Sequence, residues 1–563
     1  MTNHGRERRR RIIRRLVPAV AVVSLAAGVM VGALATPASV RAAREYGRAW
    51  DRGNYRAMYA LLTDDAKSKT SRREFVAAYR ADARTATLRD LRVERVRRNG
   101  DSVELTVAAR TRAFGTVRHA VSLPFVDGKV DWDTGLTFPG KPADGGKLTR
   151  QTSAPPRASI LARDGEVIST GPASARTQPT PAAQSVGGGL GVAQTPAQRA
   201  ALRARGFPAD TLVGTSGLER IAENRVAGTP GGLLIASGRV LASTKPKAAK
   251  PVRTTIDLGV QQASVAALAG RFGGVAALDA RTGQVRALAG IAFSGPQPPG
   301  STFKIVTAAA ALDARLVKLD TAFPVETKAV IDGVDLENAN GESCGGTFAE
   351  SFAHSCNSVF APLGVRIGAK RLVAEAEHLG WNREPSIPGA MPSTIPDASE
   401  ISTPVAVGAS AIGQGKVLAT PLQMASVAQA ISQNGVMTRP RVFPDAHRSR
   451  KRVMSRRVAH ELERLMIGVV AYGTGTAASL APVKVAGKTG TAELTTTVHP
   501  EGETPPVEQG VDAKPPGYDT DAWFAAYAPV RRSKLAVCVL IVHGGAGGST
   551  AAPAARGVLQ AGL

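Results

Sequence analysis

Aromatic residues are scarce, 4% of 563 positions, and they do not interleave with basic residues. Zinc-finger spacing is missing as well. Both absences argue against nucleic acid, the partner that a formal net charge of +26 would otherwise suggest. The eight histidines form no His-Glu-x-x-His or similar cluster, so neither a catalytic metal nor a cofactor is expected. Acidic residues are outnumbered, 45 against 71 Lys and Arg, and the excess is spread along the chain. Such a surface suits an acidic envelope, anionic lipid or wall polymer. What is present is an apolar fraction of 43%, enough for real cores, in a chain long enough for three or four domains.

The N-terminus points to a compartment. Residues 6 to 15 are strongly basic and precede Leu16 to Ala35, an uncharged stretch with one proline near its start. At 1.5 Å per residue it spans about 30 Å, the thickness of a bilayer core. The arginines keep residues 1–15 in the cytoplasm and put everything after 35 outside. Ala33-Leu34-Ala35 also offers small residues for a signal-peptide cut. An uncleaved single-pass anchor is the expectation, because the apolar run is longer than a usual signal core.

Residues 41–140 read as a small α+β domain. Tyr46, Ala49 and Trp50 share helical spacing, as do Tyr55, Met58, Tyr59 and Leu62, and Ser71-Arg-Arg-Glu74 is a capping box opening a third helix. Alternating apolar residues around Asn99-Gly100 and Asp127-Gly128 mark two hairpins. Three helices followed by a curved antiparallel sheet suit a cone-shaped fold whose aromatics form its core. Residues 150–250 are Pro-, Ser-, Gly- and Thr-rich, with short strands near Ala158 to Ile168 and Gly232 to Leu241; 172–192 reads as an extended loop. Residues 254–563 read as one large domain. Strand-like runs at Val275 to Leu288, Val483 to Gly487, Ala522 to Tyr527 and Leu535 to Val542, with helices between, imply one antiparallel sheet covered by helices.

The chemistry begins at Pro298-Pro-Gly-Ser301-Thr-Phe-Lys304, where a broken loop becomes an Ala-rich helix. Ser301 falls at or next to the helix N-terminus, with Lys304 one turn above it on the same face. A serine hydroxyl is a poor nucleophile until something takes its proton, and a neighbouring amine is a sensible acceptor. Alone, Ser-x-x-Lys turns up by chance roughly once or twice in a chain this long, and a capping serine would then be the better reading. Two further motifs change that balance. Ser355-Cys356-Asn357 and Lys488-Thr489-Gly490, followed by Thr491, occur in order behind it. The triple is the signature of penicillin-binding proteins and serine β-lactamases.

Longer segments extend the likeness. His354 to Gly364, Gly413 to Ala425 and Ala522 to Pro529 closely resemble class B penicillin-binding proteins. Arg163-Asp-Gly165 and Gly217-Leu-Glu219 look like the family's dimerisation or pedestal region. Residues 41–140 look like the nuclear-transport-factor-like domain of the methicillin-resistance branch. The resemblance implies a membrane-anchored D,D-transpeptidase that cross-links peptidoglycan stem peptides ending in D-Ala-D-Ala and is acylated by β-lactams. It also implies a separate glycosyltransferase partner. Carried over by residue, Ser301 is the nucleophile and Lys304 its base, with Lys488 as the second cation. Ser355 relays a proton to the departing D-alanine, and Asn357 holds the substrate's peptide group. Thr489 and Thr491 bind the terminal carboxylate, Gly490 lets the substrate lie close to the strand, and the N–H groups of Ser301 and Thr491 form the oxyanion hole.

Cys344 and Cys356 are twelve apart, and a bridge between them would stabilise by roughly 3 kcal/mol and stiffen the Ser355–Asn357 segment. Spacing leaves their redox state open, while Cys538, inside an apolar strand, reads as a buried free thiol. The alternatives are a D,D-carboxypeptidase or β-lactamase, a β-lactam sensor, and a non-catalytic scaffold. The long ectodomain and the absence of a convincing deacylating Glu after Asn357 argue against the first. The 15 residues before the anchor are too few for a sensor's signalling module, and three intact motifs argue against a scaffold.

Overall fold

The computed structural model describes residues 37–493 and 520–563, except positions 101 and 144. The basic tail at 1–15 and the apolar run at 16–35 lie outside them. Among the described residues no helix is long and apolar enough to cross a membrane. The chain forms two compact units.

The first unit holds the described part of 1–155 with Ala193–Thr211 and Gly228–Ala248. Over residues 38–85 its helices are Ala38–Asp51, Tyr55–Ala60, Asp64–Lys69 and Arg72–Thr85. That is one more than the apolar spacing predicts, because Thr63 accepts from the Ala66 N–H and starts the short third helix. The capping box of Ser71 and Glu74 is present. Four antiparallel strands follow in a meander, Leu88–Asn99, Ser102–Thr111, Thr116–Val126 and Lys129–Val130. The aromatics are buried and mutually satisfied: Trp132 Nε1 donates to Tyr79 Oη at 3.2 Å, and Tyr79 donates to the Leu136 carbonyl at 3.1 Å.

The stretch 150–250 is shared between the units, not folded by itself. Leu148–Ser153 pairs with Gly231–Ala236, which carries Arg239–Thr244 on its other edge, and Leu148, Leu234 and Leu241 join the first unit's core. Ile160–Leu161 instead pairs with Val167–Ser169 and Val252–Arg253, in the second unit. Within 172–192, expected as an extended loop, Thr180 caps a helix over Pro181–Gly187. Thr-Pro is a helix start, and the proline sits where no N–H is needed.

The second unit holds Pro156–Val192, Leu212–Ala227 and the described part of 249–563. Buried Glu219 ties its first segments together, accepting from Arg157 Nε at 2.6 Å, Arg176 Nε at 2.7 Å and Ser169 Oγ at 2.5 Å. Burial alone would raise the Glu219 carboxyl, but these three partners hold it below the ordinary range.

A five-stranded sheet forms the centre: β1 (Gly273–Asp279), β2 (Val285–Gly290), β3 (Ala486–Glu493), β4 (Thr520–Ala528) and β5 (Leu535–Ile541). Their spatial order is β2-β1-β5-β4-β3, antiparallel throughout. β3 starts at Ala486, later than the apolar run predicts, because Val483 closes a local turn onto Leu480. β4 shows why both faces are covered. Trp523, Ala525 and Tyr527 enter one core, while Ala522, Phe524, Ala526 and Ala528 enter another. Helices α1 (Leu258–Leu268) and α6 (Ala551–Ala561) cover the second face. The first is covered by α4 (Pro421–Ser432) and α5 (Arg456–Ala471), with α2 (Lys304–Asp313) packed on α5 and α3 (Asn357–Ile367) on α2. Among the described residues the motif strand β3 is an edge, so one row of its backbone groups is left unpaired by the sheet.

Candidate active site

Ser301 does not sit in an α-helix. It lies in a 3-10 turn, Gly300–Phe303, from which α2 continues at Lys304. The turn is fixed by its neighbours: Gly300 N–H donates to the Gly413 carbonyl at 3.0 Å, and Gln297 exchanges two bonds with Ala419 at 2.9 and 2.8 Å. Phe303 packs edge-on against Trp381. Ser301 is half-buried, whereas Lys304, one turn on, is wholly buried.

Lys304 Nζ donates to the Ser355 carbonyl and to Asn357 Oδ1, each at 2.6 Å, and lies 3.3 Å from Ser355 Oγ. Asn357 is held in that orientation because its Nδ2 donates to the Glu337 carbonyl at 2.6 Å. Lys488 Nζ, also buried, reaches Ser355 Oγ at 2.9 Å and the Thr489 carbonyl at 3.0 Å. Thus Lys304, Ser355, Asn357 and Lys488 are in direct contact, and Ser301 shares the turn that carries Lys304.

This wiring has chemical consequences. A hydroxyl has two acceptor positions and one proton. Lys488 donates to one acceptor position of Ser355 Oγ, so the hydroxyl's own proton is left to be given away. The two short bonds of Lys304 use both hydrogens of a neutral amine, which leaves its lone pair for an incoming proton. The neutral form is favoured by desolvation first and by the Lys488 charge second, which together hold Lys304 well below the ordinary amine range. Burial pushes Lys488 down to about 7. The rings of Phe360 and Phe352 lie 5.5 and 5.6 Å from the Lys304 and Lys488 nitrogens and give each a polarisable wall.

Proton-transfer chemistry at this pair should therefore follow a bell against pH. Its acid limb is the loss of neutral Lys304, and its alkaline limb is the discharge of Lys488 above about 7. The pH profile of the acylation rate constant checks this, and a rate that climbs without turning over contradicts it.

Ser355 adopts φ +63°, a left-handed conformation that costs a non-glycine residue about 1–3 kcal/mol. Cys356, the next residue, is disulfide-bonded to Cys344 with 5.4 Å between Cα atoms. Its N–H donates to the Ser351 carbonyl at 2.9 Å. The covalent tie therefore sits between the two residues that touch Lys304. Cys538 is a buried free thiol.

On β3, Gly490 has a packing reason besides room for a ligand. A Cβ there would stand 2.8 Å from the Pro299 carbonyl and 2.9 Å from Thr302 Cγ2, so its missing side chain lets the Ser301 turn lie on the strand. Gly300 complements it from the other side, with its own Cβ position 2.5 Å from the Thr491 carbonyl. Gly490→Ala is expected to displace the turn and to destabilise by about 1–3 kcal/mol, as overpacking does. Denaturant unfolding measures it, and an unchanged midpoint contradicts the close fit.

The threonines differ. Thr489 is only 4% exposed, and its Oγ1 is engaged by Thr474 Oγ1 at 2.5 Å. Thr491 is half-buried and accepts from Gly547 N–H at 3.3 Å. Thr474, Gly547, Gly413 and the two phenylalanine rings were not legible as site residues. Paired glycines at 413/415 and 547/548 are the one local signal that pointed their way. Among the described residues no group of His, Cys, Asp and Glu could hold a metal ion.

A family model described as the penicillin binding protein transpeptidase domain matches residues 273–560. The peptidoglycan D,D-transpeptidase PbpA of Mycolicibacterium smegmatis is 35% identical over 297 residues, which is 48% of this chain and 56% of that protein. The chain thus spans little more than half the length of the curated relatives it matches first. Among solved structures, penicillin-binding protein A of M. tuberculosis, as a ceftriaxone acyl-enzyme complex, is 27% identical with a TM-score of 0.57, covering 72% of this chain and 98% of that one. The D,D-transpeptidase domain of a peptidoglycan glycosyltransferase from Eggerthella lenta is 28% identical with a TM-score of 0.56, covering 73% and 98%.

Proposed function

The chain belongs to the penicillin-binding protein transpeptidase family, and we propose that it is a serine D,D-transpeptidase that cross-links peptidoglycan stem peptides ending in D-Ala-D-Ala. The observation that carries this is the contact of Lys304 with Ser355 and Asn357, and of Lys488 with Ser355, one turn from Ser301. In the first half-reaction Ser301 Oγ bonds to the penultimate D-Ala carbonyl carbon and gives its proton to Lys304 Nζ. The peptide C–N bond breaks, and Ser355 passes a proton to the departing D-alanine amine and takes one back from Lys304. In the second, an amine of another stem peptide bonds to the acyl carbon and loses its proton through Ser355 to Lys304, the Oγ–C bond breaks, and Lys304 hands that proton to Ser301 Oγ. The N–H groups of Ser301 and Thr491 would hold the oxyanion, each donor worth about 3–4 kcal/mol. Lys488, Thr489 and Thr491 would hold the terminal carboxylate, and the free edge of β3 would pair with the stem peptide backbone. β-Lactams would acylate the same serine.

The rest of the reading follows from the sequence. Residues 16–35 would anchor the chain in the cell membrane by one span, with the catalytic domain outside, where a disulfide such as Cys344–Cys356 persists. Residues 41–140 would be a nuclear-transport-factor-like domain, a reading supported by helices followed by an antiparallel meander. A separate glycosyltransferase would supply the glycan chains.

The full chain, incubated with a polymerase and lipid-linked precursor, is expected to produce cross-linked muropeptides that vanish on adding penicillin. Stable penicillin labelling without cross-links would favour a sensor or scaffold, and rapid release of the label a hydrolase.

A further inference from the structure

Thr474 lies outside all three motifs, in the loop that follows α5, yet it touches one of them and the segment that leads into another. Its N–H donates to the Ala353 carbonyl at 3.1 Å, and its Oγ1 lies 3.3 Å from the same oxygen, on the segment that leads into Ser355. On its other side Oγ1 meets Thr489 Oγ1 at 2.5 Å. Gly473 packs on the Ala353 carbonyl and Gly548 on the Thr474 carbonyl, each where a Cβ would collide. Thr474 therefore bridges the Ser355 wall of the cleft and the Lys488–Thr489 strand.

We propose that Thr474 is a positioning residue that sets the direction of the Thr489 hydroxyl, so that Thr489 can donate to an anionic ligand. This rests on the transpeptidase reading of the cleft. The Thr474 proton has two acceptors, the Ala353 carbonyl and Thr489 Oγ1. When it goes to Ala353, the Thr489 proton is spent on Thr474 and none faces the cleft. When it goes to Thr489 Oγ1, the Thr489 proton is released toward a carboxylate, and the chain Thr474–Thr489–carboxylate polarises in one direction. Thr491 needs no such switch, because the Gly547 N–H already occupies an acceptor position of its oxygen and no acceptor among the described residues takes its proton. The two threonines thus differ in kind: Thr491 is always ready to donate, whereas Thr489 is ready only when Thr474 turns. The anion binder is conditional on a residue outside the three motifs.

The test compares acylation of the full chain by benzylpenicillin and by its methyl ester, which has no anion. Thr474 is solvent-exposed, so Thr474→Val leaves the core intact. Thr474→Val is expected to slow the reaction with benzylpenicillin about tenfold more than the reaction with the ester, and Thr474→Ser to restore it. Thr474→Ala carries the same comparison should the valine variant not fold. An equal loss with both ligands would assign Thr474 a merely structural role, and no loss with either would remove it from the site; both overturn the proposal. If the wild-type chain is not acylated by benzylpenicillin at all, the transpeptidase reading fails and this inference with it. A labelled wild type with an unselective Thr474→Val overturns the inference alone.

Discussion

Ser301→Ala is expected to abolish stable labelling of the chain by a fluorescent penicillin, and Lys304→Met to slow it by about 10²–10⁴-fold, the usual worth of a positioned general base. The two changes probe different atoms of one step. Alanine removes the oxygen to which the acyl group would bond. Methionine keeps the length and apolar stem of Lys304 within its buried site but removes the nitrogen that takes the proton. It also leaves the Ser355 carbonyl and Asn357 Oδ1 without their 2.6 Å donors, so part of the loss reflects a looser Ser355 segment. Thermal unfolding separates the contributions, since a chemical loss leaves the melting point near that of wild type. Quenched labelling time courses, read on denaturing gels, give the rates. A Lys304→Met variant labelled at close to the wild-type rate would sink the assignment of the base, and a labelled Ser301→Ala variant would sink the nucleophile.

The second large effect lies in the Cys344–Cys356 bridge. A cross-link closing a loop of this length stabilises by roughly 3 kcal/mol, chiefly through the unfolded chain. Replacing both cysteines by serine is expected to lower stability by about that amount, and reduction of the wild type should reproduce the shift. A second consequence is local. Ser355 holds a left-handed conformation next to Cys356, and removing the tie gives that residue freedom to relax. Acylation is therefore expected to slow in the double variant even at temperatures where it remains folded. Equilibrium denaturation with and without reductant measures the first effect, and labelling rates at low temperature measure the second. A midpoint indifferent to reductant would contradict the stabilising role.

Much of this architecture is written in short-range patterns. The capping box at Ser71 and Glu74 and the hairpin at Asp127-Gly128 were legible because each depends on residues within a few positions. The apolar runs of β4 and β5 were legible as strands because both faces of the sheet are covered. The helix at Pro181–Gly187 was masked by the surrounding glycines and prolines, although its Thr180 cap is ordinary. The division of 150–250 could not be read at all. Ile160 and Leu148 have similar strand signals, and only their distant partners, Val252 and Ala236, decide which unit each joins.

By itself, the sequence determined which chemical groups are available: a serine and lysine one turn apart, a serine–asparagine pair, and a lysine followed by a threonine, a glycine and a second threonine. Tertiary structure alone decided their state. An amine becomes a base only when it is desolvated and set beside another cation, and Lys304 meets Lys488 across 184 positions of chain. The Thr474–Thr489 pair and the glycines that let the Ser301 turn rest on β3 are likewise contacts between segments remote in sequence. Propensity is a property of neighbours along the chain, whereas burial and electric field are properties of neighbours in space.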